Sequence, residues 1–203
     1  PYTEKLLFIR QEEIFVIFVK LSGGLGNQLF QYAAGRELSL RLNAPIVFDA
    51  NYYLYVRNRR FILDEFHTVG RKSYPFEVLV RKIQGQLQKF KETEYYSFDK
   101  KIEALDGHIY LDGWWQNPAY FSKHWAQIRS ELKFKHTQKV KLPRDSVSIH
   151  VRRGDYTMAT GFGVCSPKYY QHAIQKIEKL VNKPVYYVFS DDIEINIEAT
   201  PVT

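Results

Sequence analysis

The sequence is poor in cysteine and contains no long apolar segment. Cys165 is the one cysteine among 203 residues, so no disulfide can form within the chain and a reducing, cytosolic setting fits best. The longest apolar run, residues 14–19, has the length of a strand, whereas a membrane span needs ~20 apolar residues. This run has no flanking features of a signal peptide. We also find no His, Cys and Asp cluster with metal-ligand spacing, so we expect no zinc site.

The glycine-rich segment 22–28, SGGLGNQ, lacks the signatures of the well-known phosphate loops. No Lys-Ser or Lys-Thr pair follows the glycines as in a Walker A loop. Leu29 occupies the place of the last glycine in a dinucleotide-binding fingerprint. Backbone N–H groups at the start of the following helix still favour an anion or polar group there, with Gly24 and Gly26 as candidate binding positions. The alternative is a close-packed turn that needs glycine only for its positive φ.

The chain has an excess of positive charge and many aromatic side chains. The net charge of +7 favours an anionic partner such as a nucleotide phosphate, a nucleic acid or an anionic membrane face. Charge alone does not choose among these partners. Aromatic residues make up 16% of the chain; most are expected to pack in a core, although Tyr and Trp also suit sugar rings.

Residues 14–49 predict a strand, a glycine turn, a helix and a second strand. The run 14–19 is typical of a strand buried on both faces of a parallel sheet. Apolar residues then recur at the four-residue spacing of a helix: Phe30, Ala34, Leu38 and Leu42. Gly35 predicts that this helix lies close on the sheet, Asn43 is a suitable helix end, and residues 45–49 form the next strand. This order is that of a βαβ unit.

The segment between residues 51 and 138 gives weaker signals. The elements that we predict in it are a weakly periodic helix at 74–90, a strand at 107–111 and a helix at 119–132. Trp114, Trp115 and Tyr120 suit a packed core better than a sugar-binding platform.

The strand-helix-strand order returns near residue 146, with strands at 147–151 and 185–189 around a helix from about 167 to 181. The first of these strands runs into Arg152 and Arg153. Two guanidiniums at the carboxyl end of a strand suit an anionic ligand, because arginine stays charged and holds its donors in a rigid fork. Open α/β sheets also bind their ligands beyond the carboxyl ends of the strands.

The polar residues at these strand ends also have simpler structural interpretations. The arginines could simply form a solvated ion pair with Asp155. His150 shares a strand face with Arg152 and is either a base or phosphate ligand, or a hydrogen-bonded buried histidine. Asp191 follows the second strand and, with Glu194 three residues later, could cap the next segment.

Two segments taken together closely resemble the signature segments of glycosyltransferase family 11, the α-1,2-fucosyltransferases. They are residues 22–34, SGGLGNQLFQYAA, and residues 150–156, HVRRGDY. Residues 114–121 and 186–192, YYVFSDD, are also similar to that family at the expected relative positions. The resemblance spans roughly residues 14–192, and a weaker likeness extends to the protein O-fucosyltransferases.

This resemblance implies an α/β fold of GT-B type, with two Rossmann-like domains, the acceptor in the cleft and the donor held mainly by the second domain. The expected organisation is an extension at 1–13, an N-terminal acceptor-side domain at 14–132, a linker at 133–145 and the GDP-fucose-binding domain at 146–203. Members continue past the FSDD segment with further donor-domain sequence, and the chain opens on Pro1 rather than Met. We therefore expect a fragment with an incomplete second domain and little activity on its own.

The resemblance also implies inverting, metal-independent transfer of fucose from GDP-fucose to the 2-hydroxyl of a galactoside, with no cofactor. Arg152 matches the first arginine of the family segment and is expected to stabilise the departing diphosphate, with Arg153 as second choice. Asn27 matches the asparagine of the glycine turn and is expected to hold the acceptor or the donor phosphate. Asp191 is a further donor-site candidate. The general base stays open among Asp155, His150 and Asp191.

The expected partners are GDP-fucose and a galactose-terminated glycan, for a cytoplasmic protein whose basic charge permits peripheral contact with a membrane. A different class of function is a non-catalytic module that binds a carbohydrate or a nucleotide sugar. A nucleic-acid binder is the third hypothesis, and the sequence argues against it because no nucleic-acid-binding signature is present.

Overall fold

The computed structural model describes residues 14–137, 140–157 and 163–191. The chain divides into two compact units, Pro1–Thr137 (unit 1) and Gln138–Thr203 (unit 2). Each unit contains a parallel β-sheet, so the α/β, Rossmann-like fold predicted from the sequence is confirmed.

Unit 1 is built on a five-stranded parallel sheet. Its strands are β1 (Ile17–Lys20), β2 (Ile46–Asp49), β3 (Arg71–Lys72), β4 (Gln88–Lys91) and β5 (Ile109–Asp112). They lie in the order β3-β2-β1-β5-β4, and every neighbouring pair is parallel. The helices are α1 (Leu25–Leu42), α2 (Tyr52–Tyr55), α3 (Glu77–Ile83) and α4 (Trp125–Glu131). Because β1 is central, the loops that follow β1 and its neighbour β5 meet at the middle of the carboxyl edge.

Strand β1 is buried on both faces, as the uninterrupted apolar run predicts. Phe18 packs with Val78 of α3 on one face, and Ile17 and Val19 point into the larger core on the other face. All three side chains have no exposed surface. Burial on both faces explains why the strand has no polar alternation.

Helix α1 lies directly on this sheet and has the predicted extent. It ends at Asn43, which has a left-handed conformation with φ 49° that asparagine tolerates better than most residues. A Cβ atom placed on Gly35 would overlap Val19 Cγ2 and lie 3.1 Å from Ile46 Cδ1. The prediction that Gly35 permits close packing of helix on sheet is therefore confirmed.

The prediction of a helix over 119–132 is wrong for the first half of that range. The structure has a short 3-10 turn, Pro118–Tyr120, and α4 begins only at Trp125. The Tyr120 hydroxyl accepts the N–H of Asp99 at 3.0 Å, and the Glu37 carboxylate accepts the N–H of His124 at 3.0 Å. The first bond fixes Tyr120 by its side chain, and the second takes the N–H of His124 that a continuous helix would use.

The weakly periodic segment 74–90 is helical only in part. Helix α3 ends at Ile83, and the residues that follow Leu87 form β4, which pairs with β5. Pairing with a buried strand decides the conformation here, because local preference in this segment is weak.

Unit 2 contains β6 (Ser146–Val151), α5 (Pro167–Glu178) and β7 (Val185–Ser190). The two strands are parallel and in register from Ser146↔Val185 to Val151↔Ser190, so the second predicted βαβ unit is confirmed. Val188 and Phe189 are adjacent on β7 and therefore lie on opposite faces. They are 51% and 57% exposed, so both faces of β7 reach the surface of the described part of unit 2.

The first residues of the expected linker pair with unit 1. The N–H of His67 donates to the Lys133 carbonyl at 3.0 Å, and the N–H of Lys135 donates to the Glu65 carbonyl at 2.8 Å. Phe66 packs against Phe134 in the same pairing, with the two rings tilted. Within the part of the chain that the structure describes, no helix has the length and apolar character that a membrane crossing would require.

Candidate functional site

The carboxyl edge of the unit 1 sheet brings two loops together. The first is the glycine turn that follows β1 and leads into α1, and the second is residues 113–117, the edge loop, which follows β5. Gln31 of α1 connects the two loops and is fully buried. Its Oε1 accepts the N–H of Ser22 at 3.0 Å, and its Nε2 donates to the Ser22 hydroxyl and to the Gly113 carbonyl, both at 3.2 Å.

The glycines of the turn have different surroundings. Gly23 has φ +75°, and a Cβ atom there would overlap the Asn27 amide and lie 3.1 Å from Trp114 Cζ3. The atom nearest to a Cβ on Gly24 would be Arg59 Nε, at 3.9 Å, and Gly26 is exposed with nothing within 4 Å. Close packing therefore accounts for Gly23, whereas Gly24 and Gly26 leave open space at the start of α1.

Arg59 is a site residue that the sequence did not single out. Gln28 is fully buried and binds the backbone on either side of Phe61: its Nε2 donates to the Arg60 carbonyl and its Oε1 accepts the N–H of Ile62, both at 2.9 Å. These bonds bring Arg59 beside Gly24. The available signal was a cluster of arginines at 57, 59 and 60, between β2 and β3.

The start of α1 is electropositive. Its N-cap residue is Gly24, which provides no side-chain hydrogen bond, and its first turn contains no acidic residue. The partial positive charge of a helix N-terminus and the guanidinium of Arg59 thus lie on the same side of the glycine turn. This arrangement suits a phosphate or a hydroxyl oxygen.

The edge loop is held from both sides. The buried carboxylate of Glu92 accepts the N–H of Trp114 at 2.6 Å and that of Trp115 at 3.2 Å. The Asn117 side chain donates to the Tyr96 carbonyl at 2.7 Å. Between these anchors, Gln116 Nε2 donates to Asn27 Oδ1 at 2.8 Å, so the edge loop reaches the predicted site residue Asn27.

The predicted core role is confirmed for Trp115 of the edge loop and for Tyr120, which are 0% and 3% exposed. Trp115 stacks on Phe90 with the ring centroids 5.8 Å apart. Trp114 is only partly buried and its ring packs beside Gly23, so it lines the site rather than the core.

The carboxyl edge of the unit 2 sheet brings together Arg152, Arg153 and Asp191. Asp191 Oδ1 accepts the N–H of Arg153 at 2.8 Å and that of Gly154 at 3.2 Å. Its Oδ2 lies 3.6 Å from Arg152 Nε. This ion pair joins residues 152–154, the arginine turn, to the end of the neighbouring strand β7.

The Asp191 carboxylate shapes this turn. The N–H of Arg153, and after it the charge of Arg152, lower the pKa of Asp191, so this carboxyl group is ionised at neutral pH. A Cβ atom on Gly154 would lie 2.6 Å from Asp191 Oδ2. Glycine at 154 is therefore needed for the carboxylate to reach the backbone of the turn.

Two other predicted catalytic residues lie beside the arginine turn in sequence. His150 is exposed rather than buried, and it lines a cavity of about 230 Å³ together with Tyr170 and Tyr186. Asp155 lies in the short 3-10 helix Gly154–Thr157, and its side chain is outside the described part of the structure. The roles of His150, Arg152 and Asp155 stay predictions, as do the binding roles of the other site residues.

Comparison with known proteins places the chain in a group of sugar-transferring enzymes. The profile of Glycosyl transferase family 11 matches residues 9–199. The chain is 33% identical to an alpha-1,2-colitosyltransferase of Escherichia coli, with 88% of this chain and 70% of that protein covered. It is 32% identical to the O-antigen biosynthesis glycosyltransferase WbnK of Escherichia coli, with 86% and 72% covered. The solved fucosyltransferase NodZ from Bradyrhizobium has a TM-score of 0.48 at 14% identity, covering 89% of this chain and 73% of NodZ.

Proposed function

Because the chain belongs to glycosyl transferase family 11 and is therefore a glycosyltransferase, we propose that it transfers fucose from GDP-fucose to the 2-hydroxyl of a galactoside. The transfer inverts the anomeric configuration and uses no metal ion or other cofactor. We place the reaction in the cytoplasm, with peripheral contact to the inner face of a membrane.

The observation that carries this proposal is the arginine turn at the carboxyl end of β6. In glycosyl transfer the departing nucleoside diphosphate gains negative charge, which must be stabilised by groups that are already in position. Arg152 offers a permanent charge and several donors in a planar fork, its side chain is 38% exposed, and Asp191 lies beside its Nε. Arg152 is therefore the residue that we assign to the diphosphate, with Arg153 beside it.

The proton acceptor is the second part of the chemistry. Asp191 is a weak candidate, because its lowered pKa makes its carboxylate a poor base. Its Oδ1 also already accepts the N–H groups of Arg153 and Gly154. We assign Asp191 to the support of Arg152 instead. His150, which is exposed, and Asp155 stay as the candidates for the base.

Unit 1 has a second set of polar groups that suit the proposed substrates. Asn27, Arg59 and the open backbone at Gly24 and Gly26 provide hydrogen-bond donors at one edge of its sheet. Neutral amides and N–H groups suit the hydroxyl groups of a sugar, and the guanidinium suits a phosphate oxygen. We assign this edge to the acceptor or to the sugar-phosphate end of the donor.

A second candidate differs only in the donor sugar. One relative at 33% identity carries the name alpha-1,2-colitosyltransferase, and colitose is fucose without its 3-hydroxyl group. The linkage in that name is the linkage proposed for this chain. A GDP-colitose donor therefore fits the same phosphate and galactoside contacts, and the two donors are separated by comparing kcat/KM for each.

The test measures GDP release by the purified chain with GDP-fucose and a β-galactoside, and the linkage of the product by NMR. We expect an α-1,2 product, formed at the low rate that the sequence predicts for this chain on its own. We expect Arg152→Ala to lower kcat/KM by a further factor of roughly 100, as for loss of a preorganised donor to developing charge. Arg152→Lys should recover part of this loss, because it restores the charge without the fork. Lys176→Ala, which removes an exposed charge from α5, should have no effect.

The other outcomes each select a different conclusion. Saturable GDP-fucose binding without transfer would make the chain a nucleotide-sugar binding module. Turnover with GDP-colitose but not GDP-fucose would select the second candidate. Salt-sensitive binding to any oligonucleotide, with no nucleotide-sugar binding, would contradict both transferase proposals.

A further inference from the structure

Asn27 is held in one orientation by a neighbour from the edge loop. Its Oδ1 accepts a hydrogen bond from Gln116 Nε2 at 2.8 Å. Its Nδ2 lies over Gly23, in the space that a side chain at that position would fill. The Gly23 carbonyl already accepts the Tyr53 hydroxyl at 3.2 Å. Among the described residues, Asn27 Nδ2 makes no hydrogen bond that accompanies the one at Oδ1.

Gln116 is itself fixed by its flanking residues. On one side, Glu92 binds the N–H groups of Trp114 and Trp115, and on the other side Asn117 binds the Tyr96 carbonyl. Trp115 has φ 57° and Tyr96 has φ 64°, which is a strained conformation for bulky residues. Strain of this kind is found where a structure holds groups ready for a ligand.

We propose that Gln116 is a positioning residue, which holds the Asn27 amide so that Nδ2 donates to an oxygen atom of the substrate. An amide group can turn over and exchange its oxygen and nitrogen, and a donor on Oδ1 prevents this exchange. The inference rests on the proposed function, because the substrate is the nucleotide sugar or its saccharide acceptor. The oxygen is a sugar hydroxyl or a phosphate oxygen, which have the same acceptor chemistry.

A double-mutant cycle tests whether Gln116 acts through Asn27. We expect Gln116→Ala to lower kcat/KM about three- to tenfold, the usual range for one hydrogen bond. In the Asn27→Ala background the same substitution should change kcat/KM less than about twofold, because the group that it orients is gone. If Gln116→Ala lowers kcat/KM by the same factor with and without Asn27→Ala, the proposal is overturned. Gln86→Ala, at an exposed glutamine outside the site, is the matched control.

Two charge-changing substitutions test the orientation itself. Asn27→Asp can still accept the bond from Gln116 but presents an oxygen where the substrate needs a donor, so we expect at least the loss seen with Asn27→Ala. Gln116→Glu replaces the donor by an acceptor and turns the Asn27 amide over, so its loss should equal or exceed that of Gln116→Ala. Full activity of Gln116→Glu would show that Asn27 faces the substrate with its oxygen.

The free energy of unfolding of each variant separates positioning from a merely structural role. If kcat/KM follows only the folded fraction, the proposal fails. Varying GDP-fucose and the galactoside in turn shows whose KM responds, and so distinguishes a phosphate or donor-sugar oxygen from an acceptor hydroxyl.

The same variants are compared in the binding of GDP-fucose and of the galactoside by calorimetry, which does not require turnover. If the wild-type chain turns over substrate but the effects of substitutions at 27 and 116 are independent in both kinetics and binding, this inference is overturned and the proposed function stays intact. If the substitutions at 27 and 116 have coupled effects on binding but the chain shows no turnover, the proposed function is overturned and the positioning of Asn27 is supported. Absence of both turnover and binding overturns both.

Discussion

At the residue scale, the glycine turn separates what the fold needs from what a ligand needs. Gly23 has both a positive φ and no room for a side chain, so any other residue would move Asn27 or Trp114. Gly24 and Gly26 have ordinary φ values and open surroundings. Packing does not explain the glycines at 24 and 26, and we attribute them to the close approach of substrate to the backbone.

Gly24→Ala tests this attribution. We expect the free energy of unfolding, measured with urea, to fall by no more than about 1 kcal/mol, because alanine is only a poorer N-cap than glycine. We expect kcat/KM to fall by up to about 100-fold, since the added methyl group would displace a substrate by ~1 Å. Gly23→Ala should instead lower stability and activity together. Unchanged kcat/KM in Gly24→Ala would show that no substrate approaches this backbone.

At the element scale, the buried side of α1 has two structural roles. Its apolar residues pack on the sheet, and its buried glutamines, Gln28 and Gln31, bind loop backbone beyond the sheet edge. A buried amide is stable only when it is hydrogen-bonded, so these glutamines fix where the loops run. The helix thereby sets the geometry of the site as well as the core.

Gly35→Ala tests the close packing of α1 on β1. Added volume in a well-packed core costs about 1–3 kcal/mol, and alanine recovers about 1 kcal/mol of helix propensity. We expect a net loss of up to about 2 kcal/mol in the free energy of unfolding, because the new methyl group meets Val19. Gly26→Ala, in the same helix with nothing within 4 Å, should leave stability unchanged or raise it by up to about 1 kcal/mol. Equal effects of the two substitutions would contradict the packing argument.

At the scale of the whole molecule, the two units differ in how much apolar surface they bury. Nearly all buried apolar side chains among the described residues belong to unit 1, and Val151, Tyr170 and Ile174 are those of unit 2. Local stability follows buried apolar contact. Unit 2, which contains the arginine turn, is therefore expected to be the less stable part of the protein.

Amide hydrogen exchange tests this difference. We expect the amides of β1, β2 and β5 to exchange at least about tenfold more slowly than those of β6 and β7, because opening the unit 1 sheet exposes far more apolar surface. Addition of GDP should slow exchange in β6 and β7, since a ligand stabilises the state that binds it. Equal protection of the two sheets without GDP would contradict this expectation.

The sequence by itself determined the elements whose signal is local. The run into β1, the spacing along α1 and the second strand-helix-strand unit were all predicted, because burial on one face or on both leaves a regular pattern in the chain. The arginine turn was found for the same reason, since Arg152 and Arg153 directly follow a strand. Family resemblance added the class of enzyme, which the match to residues 9–199 confirmed.

Only the tertiary structure decided the contacts between distant residues. Gln116 reaches Asn27, and Asp191 reaches Arg153, across 89 and 38 positions of the chain. The start of α4 was missed because Glu37 binds the backbone at His124, 87 positions away. No periodicity marks such pairs. The first two form only when parallel strands bring their carboxyl ends together, and the third forms only when α4 packs against α1. The sequence thus supplied the chemical groups of the site, and folding decided which of them meet.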